Sequence, residues 1–312
     1  MVETLKNLAL KVVPLLGVIG VGYWLGKKYD KLADRISNIL IYALLPLLVI
    51  SKIPQAESKQ LAIIPALLFI FAALMTIPAF IAKDKLDTDL DKRLLASSFS
   101  FFNIAFFGTP IVSAVFSKED TATMIAAYAG CALYGDTIGY FFVARTKMPT
   151  REAILKVLKI PLLYAFLLAF GLAIAGWQPS ETVKTASTGL GWVVSVLGMS
   201  IIGFNLSLNQ LNEIPYKKLS KVIGVRQLSA AILFAGLLLL EAVLIGKLEV
   251  KEQAIVGLIA LFPIAATVTV FATLIDTQRK EASALVAWSN VVSLGLAIIG
   301  GLILSASGIG SE

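Results

Sequence analysis

Asn103-Ile104-Ala105-Phe106-Phe107-Gly108-Thr109-Pro110-Ile111 in the first half of the chain and Gly257-Leu258-Ile259-Ala260-Leu261-Phe262-Pro263-Ile264 in the second are apolar segments, each interrupted by a Pro-Ile pair. Proline inside a helix lacks a backbone donor and crowds the carbonyl four residues earlier, here those of Phe106 and Ile259. In hydrocarbon the freed groups need partners, so helices broken at membrane depth occur where they are buried in protein or line a watery cavity. A matching pair in two halves points to the substrate site of a transporter.

The rest of the chain is membrane material. Of 312 residues, 58% are hydrophobic and 15% charged, against about 25% charged in a soluble domain; the mean hydropathy is +0.86. Apolar runs of spanning length lie near residues 8–26, 36–53, 61–82, 94–117, 122–144, 157–177, 188–208, 219–246, 252–275 and 282–305. The connections between them are short, which leaves no room for a soluble catalytic or regulatory domain. Met1 to Asn7 lack the pattern of a removable signal, so the first span is expected to be retained.

The net charge of +7 is explained by its distribution and not by nucleic acid, for which no partner role is expected. Loops after odd-numbered spans hold 19 Lys and Arg, and the ends and other loops hold 8. The positive-inside rule places the loops Lys27 to Arg35, Lys83 to Arg93, Arg145 to Lys159, Lys217 to Arg226 and Arg279 to Lys280 in the cytoplasm, with both termini outside. The absence of His excludes His-ligated metal, His-ligated haem and Ser-His or Cys-His nucleophiles. Cys131 is the lone cysteine, so no disulfide forms within the chain. No metal cluster and no nucleophile-base pair appears, and neither an enzyme nor a resident cofactor is expected.

The most basic loop divides the spans five and five. The expected units are a first five-helix repeat over residues 1–145, a cytoplasmic linker over 146–156 and a second repeat over 157–312. An odd number of spans per half enters the second half with opposite orientation, the signature of an inverted repeat. Aligning Pro110 on Pro263, an offset of 153, carries Asp136 onto Ser289, next to Asn290.

Asp136 lies near the middle of Met124 to Val143, where a carboxylate costs about 2.5 to 3.5 kcal/mol on insertion scales and is usually directed inward for a function. It is the candidate for proton or cation coupling, against the plainer reading of a hydrogen bond to a neighbouring helix. Glu241, near the external end of the eighth span, reads as interfacial, and Arg226, near the cytoplasmic start of that span, as a snorkelling side chain. Asn103 and Asn290 carry both donor and acceptor, cannot satisfy themselves within a helix, and suggest a shared polar cavity near the two breaks. Thr109, Ser113, Thr267 and Thr269 add hydroxyls there, although Ser and Thr often bond back to helix carbonyls. Half-helices starting near Pro110 and Pro263 are expected to present free N–H groups to a carboxylate. Gly17, Gly20, Gly22 and Gly26 read as a small-residue packing face.

The chain resembles the auxin efflux carrier family, which includes bacterial malate- and malonate-type permeases and the plant auxin exporters. The resemblance rests on Asn103, Gly108, Pro110 and Ile111 in the fourth span, Tyr42-Ala43-Leu44-Leu45-Pro46, Tyr134-Gly135-Asp136, Ile202-Gly203-Phe204-Asn205-Leu206, and Pro263, Phe271-Ala272, Ala282-Ser283-Ala284 and Ser289-Asn290. It implies ten spans in a 5+5 inverted repeat, a scaffold of spans 1, 2, 6 and 7, and a transport bundle of spans 3–5 and 8–10. It also implies that helices 4 and 9 cross at their prolines, as in the related bile-acid sodium symporters, and that a homodimer forms through the scaffold. Two departures stand out: Val256 to Phe262 has no polar counterpart of Asn103, and the loop between spans 5 and 6 is short, unlike that of the plant exporters.

The expectation is an all-α polytopic membrane protein of the cell (inner) membrane: ten transmembrane helices in a 5+5 inverted repeat, with helices 4 and 9 broken at prolines and crossing. It would move a small organic anion, a carboxylate, by alternating access, with proton or sodium coupling open. Asn103, Gly108, Thr109, Pro110, Ile111, Pro263, Thr267 and Asn290 would bind the substrate and Asp136 would couple it. The alternatives are a sodium-coupled symporter of bile-acid type and, from another class, a membrane receptor or scaffold without transport.

Overall fold

The computed structural model describes residues 14, 17–29, 31–56, 58–86, 88–108, 111–112, 116, 121–208, 212 and 214–307. An apolar chain away from water must satisfy its backbone internally, and helices do so within one segment. The described residues contain helices and turns with no strand, and one isolated antiparallel bridge joins Phe102 to Ile264.

A short apolar helix, α1 (Gly17–Gly26), precedes α2 (Leu32–Ile39), which runs through a π-helical turn, Leu40–Leu44, into α3 (Leu45–Lys52). Pro46 stands in the first turn of α3, following the π-helical turn. The long α4 (Ser58–Ala82) keeps Pro65 and Pro78 inside it, and α5 (Lys92–Ser100) is capped by the Asp91 carboxylate, which accepts from Arg93 N. Next come α6 (Thr121–Tyr134), a π-helical turn Gly135–Gly139 and α7 (Tyr140–Ala144). The pair α8 (Thr150–Leu158) and α9 (Pro161–Ile174) bends by 51° where Pro161 opens the second helix. Then follow α10 (Glu181–Leu206), capped by Ser180 Oγ, and α11 (Tyr216–Leu244). A Glu249/Glu252 capping box opens α12 (Val250–Gly257), which tightens into a 3₁₀ turn, Leu258–Leu261. The last two helices are α13 (Thr267–Ile275) and α14 (Arg279–Ala306).

Five helices are long and apolar enough to cross a membrane, and a sixth if α8 and α9 form one span. The protein is therefore a multi-pass membrane protein. Where the other spans are expected, the described residues form shorter pieces: α1, the interrupted α5 and α12–α13 segments, and α6–α7 with a π-helical turn between them. Within the expected linker 146–156, α8 begins at Thr150; it buries Ala153 and exposes Ile154, Leu155 and Leu158.

Helix is interrupted in both halves, in the first ahead of the place expected from Pro110. The chain leaves α5 after Ser100, runs extended at Phe101 (φ −108, ψ 109), and coils again in a π-helical turn at Ile104–Gly108. Pro110 and Thr109 lie outside the described residues. The second break is at Phe262 (φ −75, ψ 152), immediately before Pro263.

Packing centres on α4, which lies against α5, α6 and α11, while α3 packs on α9 and α10, and α10 reaches α13 and α14. Close approach of α1 and α10 depends on glycine: a Cβ on Gly203 would lie 2.1 Å from Ile19 O, and one on Gly22 2.3 Å from Ser200 O. Gly17 and Gly20 meet nothing within 4 Å, so the expected packing face reduces to Gly22 and Gly26. Tyr164, Leu167, Leu168, Leu239, Leu240 and Val243 stay exposed, as lipid-facing side chains do.

Four of the five basic loops gather on one face. Arg279 pairs with Asp34 at 2.8 Å, Gln278 Nε2 donates to Asp89 O, Thr146 Oγ1 donates to Thr277 Oγ1, and Arg93 Nη1 donates to Arg145 O. Asp276 (φ 55) and Gln278 (φ 38) turn the chain there in the left-handed region, and Gln278 Oε1 accepts from Asp91 N.

Candidate functional site

A broken helix exposes donors and acceptors that water cannot reach, so each must be traced to a partner. At the crossing the two breaks satisfy one another: Asn103 N donates to Pro263 O at 2.9 Å and Ala265 N donates to Phe101 O at 3.0 Å. These bonds flank the Phe102–Ile264 bridge and explain why the first break lies at residues 101–103, opposite Pro263. Ile264 N donates to Ser289 Oγ of α14 at 3.1 Å. The expectation of free N–H groups beside Pro263 is therefore corrected for Ile264 and Ala265, whose donors are already engaged.

Three further carbonyls are held by two adjacent side chains of α11. Arg226 Nε donates to Ser98 O at 3.1 Å and its Nη1 to Phe262 O at 3.0 Å, so one guanidinium spans both breaks. Gln227 Nε2 reaches Leu261 O at 3.2 Å and Ser293 Oγ at 2.9 Å, and its Oε1 accepts from Arg226 Nη1 at 3.3 Å. The guanidinium also lies 3.9 Å from the centre of the Phe102 ring, within cation–π range. Arg226 is 0% exposed. The snorkelling reading is thus corrected: α11 begins at Tyr216, which puts Arg226 about 15 Å along the helix at 1.5 Å per residue, too deep to reach the surface. Removing it from the loop tally changes 19 basic residues to 18.

Beside the bridge is a cavity of about 10 Å³ whose lining includes Phe101, Phe102, Asn103, Tyr128, Asp136 and Thr267. The volume is near the smallest that holds one water. Asp136 comes from the π-helical turn Gly135–Gly139, is 4% exposed, and its Oδ1 has no hydrogen-bond partner among the described residues. A π-helical turn inserts an extra residue into the helix and is common at functional positions. The plainer reading of Asp136, a bond to a neighbouring helix, finds no partner at Oδ1.

Of the residues expected to bind substrate, Asn103 and Thr267 share this lining with Asp136, while Pro263 is outside the lining and is bonded to Asn103 through its carbonyl. Gly108 closes the π-helical turn under Phe262; a Cβ there would lie 2.2 Å from the ring. Ile111 is buried in the core. Ser113, like Thr109 and Pro110, lies outside the described residues. Asn290 is buried but is not in the cavity lining: its Nδ2 donates to Val286 O of its own helix at 2.8 Å, while its Oδ1 has no partner. Asn290 is thus only half satisfied within its own helix: the carbonyl four residues back takes its donor and its acceptor is left over. Its neighbour Ser289 makes the contact with the break. Thr269 Oγ1, in the first turn of α13, is buried without a partner among the described residues.

Glu241 is 2% exposed and belongs to a helix connection: Oε1 accepts from Lys247 N and Leu248 N, and Oε2 from Gln253 Nε2. Sequence reasoning undervalued Arg226 and Gln227. The available signal was an Arg-Gln pair ten positions after Tyr216 inside a long apolar helix.

Comparison with protein families gives a match over residues 8–299 to the model described as "Membrane transport protein". Among curated proteins there is no match.

Proposed function

The chain belongs to the membrane transport protein family, that of the auxin efflux carriers, and from that premise we propose that it is a secondary carrier of small carboxylates working by alternating access at the crossing of its two broken segments. The observation that carries this reading is the convergence of Asn103, Thr267 and Asp136 on one cavity beside paired extended backbone. A cavity of about 10 Å³ is too small for a carboxylate, so the crossing must open to one side at a time for substrate to enter and leave. In this proposal the chain has ten spans in a 5+5 inverted repeat, with the Pro110 and Pro263 segments as spans 4 and 9. Spans 1, 2, 6 and 7, the last two being α9 and α10, act as scaffold against the bundle that carries the crossing. The face holding Asp34, Asp89, Arg145 and Arg279 meets the cytoplasm, the termini lie outside, and two copies associate through the scaffold. Asn103 orients the substrate, and Asp136 responds to a proton or cation.

The test is flux in proteoliposomes. Labelled malonate, malate and acetate are offered with an outward gradient of the same acid, and counterflow above that of empty liposomes is expected for at least one. No counterflow for any small carboxylate over a range of pH, with folded protein in the vesicles, sinks the carboxylate reading. Saturable binding without flux would indicate the receptor alternative.

A further inference from the structure

We infer that Arg226 is the built-in cation of the crossing, taking by side chain the place a bound metal ion would have and supplying the positive charge that receives an anionic substrate. The inference rests on the carrier reading above and adds the origin of its charge selectivity.

Broken helices leave carbonyl oxygens facing a common point, and a cation is the natural ligand for such a cluster. Here the carbonyls of Ser98 and Phe262, one from each break, are both taken by Arg226, and Leu261 O is taken by the neighbouring Gln227. An arginine stays charged in proteins, and among the described residues no carboxylate pairs with this one. Its Nη2 is buried with no hydrogen-bond partner among the described residues. A purely structural clamp would have its remaining donors paired, because a buried charge with unpaired donors is expensive. Arg226 does not line the cavity but stacks on Phe102, which does, and a guanidinium that holds two carbonyls and a ring with both Nη2 hydrogens unused is suited to a carboxylate that arrives when the crossing opens. The amides beside Pro263 do not compete for this role, since Ile264 N and Ala265 N are already bonded.

The test uses the purified full chain. Its melting temperature is measured in sodium, potassium and N-methylglucamine chloride at equal ionic strength, each with and without malonate, for wild type, Arg226→Lys and Arg226→Gln. A ligand that binds only the folded state raises the melting temperature. The expected result is one wild-type melting temperature in all three salts, a malonate-induced rise that needs no sodium, a smaller rise in Arg226→Lys and none in Arg226→Gln. A higher wild-type melting temperature in sodium than in N-methylglucamine would place a metal ion at the crossing and overturn the inference, while leaving the carrier reading intact. An undiminished malonate shift in Arg226→Gln would also overturn it. If malonate shifts no protein, malate and acetate take its place. Failure of all three counts against the carboxylate reading, and the salt comparison on wild type still decides whether the cation is built in. If Arg226→Gln does not fold, the Lys variant and the wild-type salt series carry the decision.

Discussion

Asn103, Asp136 and Arg226 are all buried close to the crossing, yet each is held in a different way. Asn103 is fixed by its backbone, through the bond from its N–H to Pro263 O, and its side chain lines the cavity. Asn103→Ala should therefore leave the crossing in place and weaken binding of the transported carboxylate by about 1 to 3 kcal/mol, roughly 5- to 150-fold. Titration calorimetry on the detergent-solubilised protein measures this, and wild-type affinity would remove Asn103 from the site. Asp136 is positioned by a π-helical turn with one oxygen unpartnered. Asp136→Asn keeps the shape and removes the charge, so the protein should fold while its flux loses or shifts its dependence on pH or on the coupling cation. A profile identical to wild type over pH, with and without sodium, makes Asp136 a packing residue. Asp136 is legible in the sequence because a carboxylate among apolar turns is anomalous at any depth. Arg226 was misread because a long cationic side chain near a span's end has two outcomes, snorkelling or burial, and where the helix starts decides between them.

At the scale of elements, the interruptions work because they meet. An isolated extended segment in hydrocarbon would leave its amides and carbonyls unpaired; two crossing segments exchange Asn103 N–Pro263 O and Ala265 N–Phe101 O, and α11 and α14 supply the rest. Helix contacts elsewhere depend on the absence of side chains. Gly203→Leu pushes a side chain into the backbone of α1 at Ile19 and Tyr23 and should destabilise the protein by about 1 to 3 kcal/mol, the range for overpacking. Gly17→Leu, with nothing within 4 Å, should stay within about 0.5 kcal/mol, as substitutions that touch nothing do. Thermal unfolding in detergent compares them, and equal melting temperatures would mean that α1 does not need its close approach to α10. The four glycines of the first span look alike in sequence; only the partner helix separates Gly22 from Gly17.

At the scale of the molecule, the face that joins Asp34 to Arg279 ties the start of α14 to α2. A partly exposed pair of this kind adds little stability, so its interest lies in where it sits. If this face opens during transport, Asp34→Cys with Arg279→Cys, bridged by a short bifunctional thiol reagent, should stop flux, and reduction of a cleavable bridge should restore it. Undiminished flux of the bridged protein would show that the two sides do not part here. Orientation is checked in intact cells: a cysteine at Gln178 should react with an impermeant thiol reagent and one at Thr150 should not, and the opposite pattern inverts the topology.

What the sequence by itself determined was the solvent of the fold and that an apolar segment in each half carries a Pro-Ile pair. Hydrophobic run length, charge asymmetry, the Pro-Ile pairs and Asp136 are local or additive features that survive without coordinates. The tertiary structure alone decided which interrupted backbone groups are already paired, that the first break lies at Phe101 to Asn103 opposite Pro263, that Asn290 turns back on its own helix, and that Arg226 closes both breaks. The physical reason is that hydrogen-bond satisfaction in a membrane interior is a property of pairs distant in sequence, and no single segment carries it.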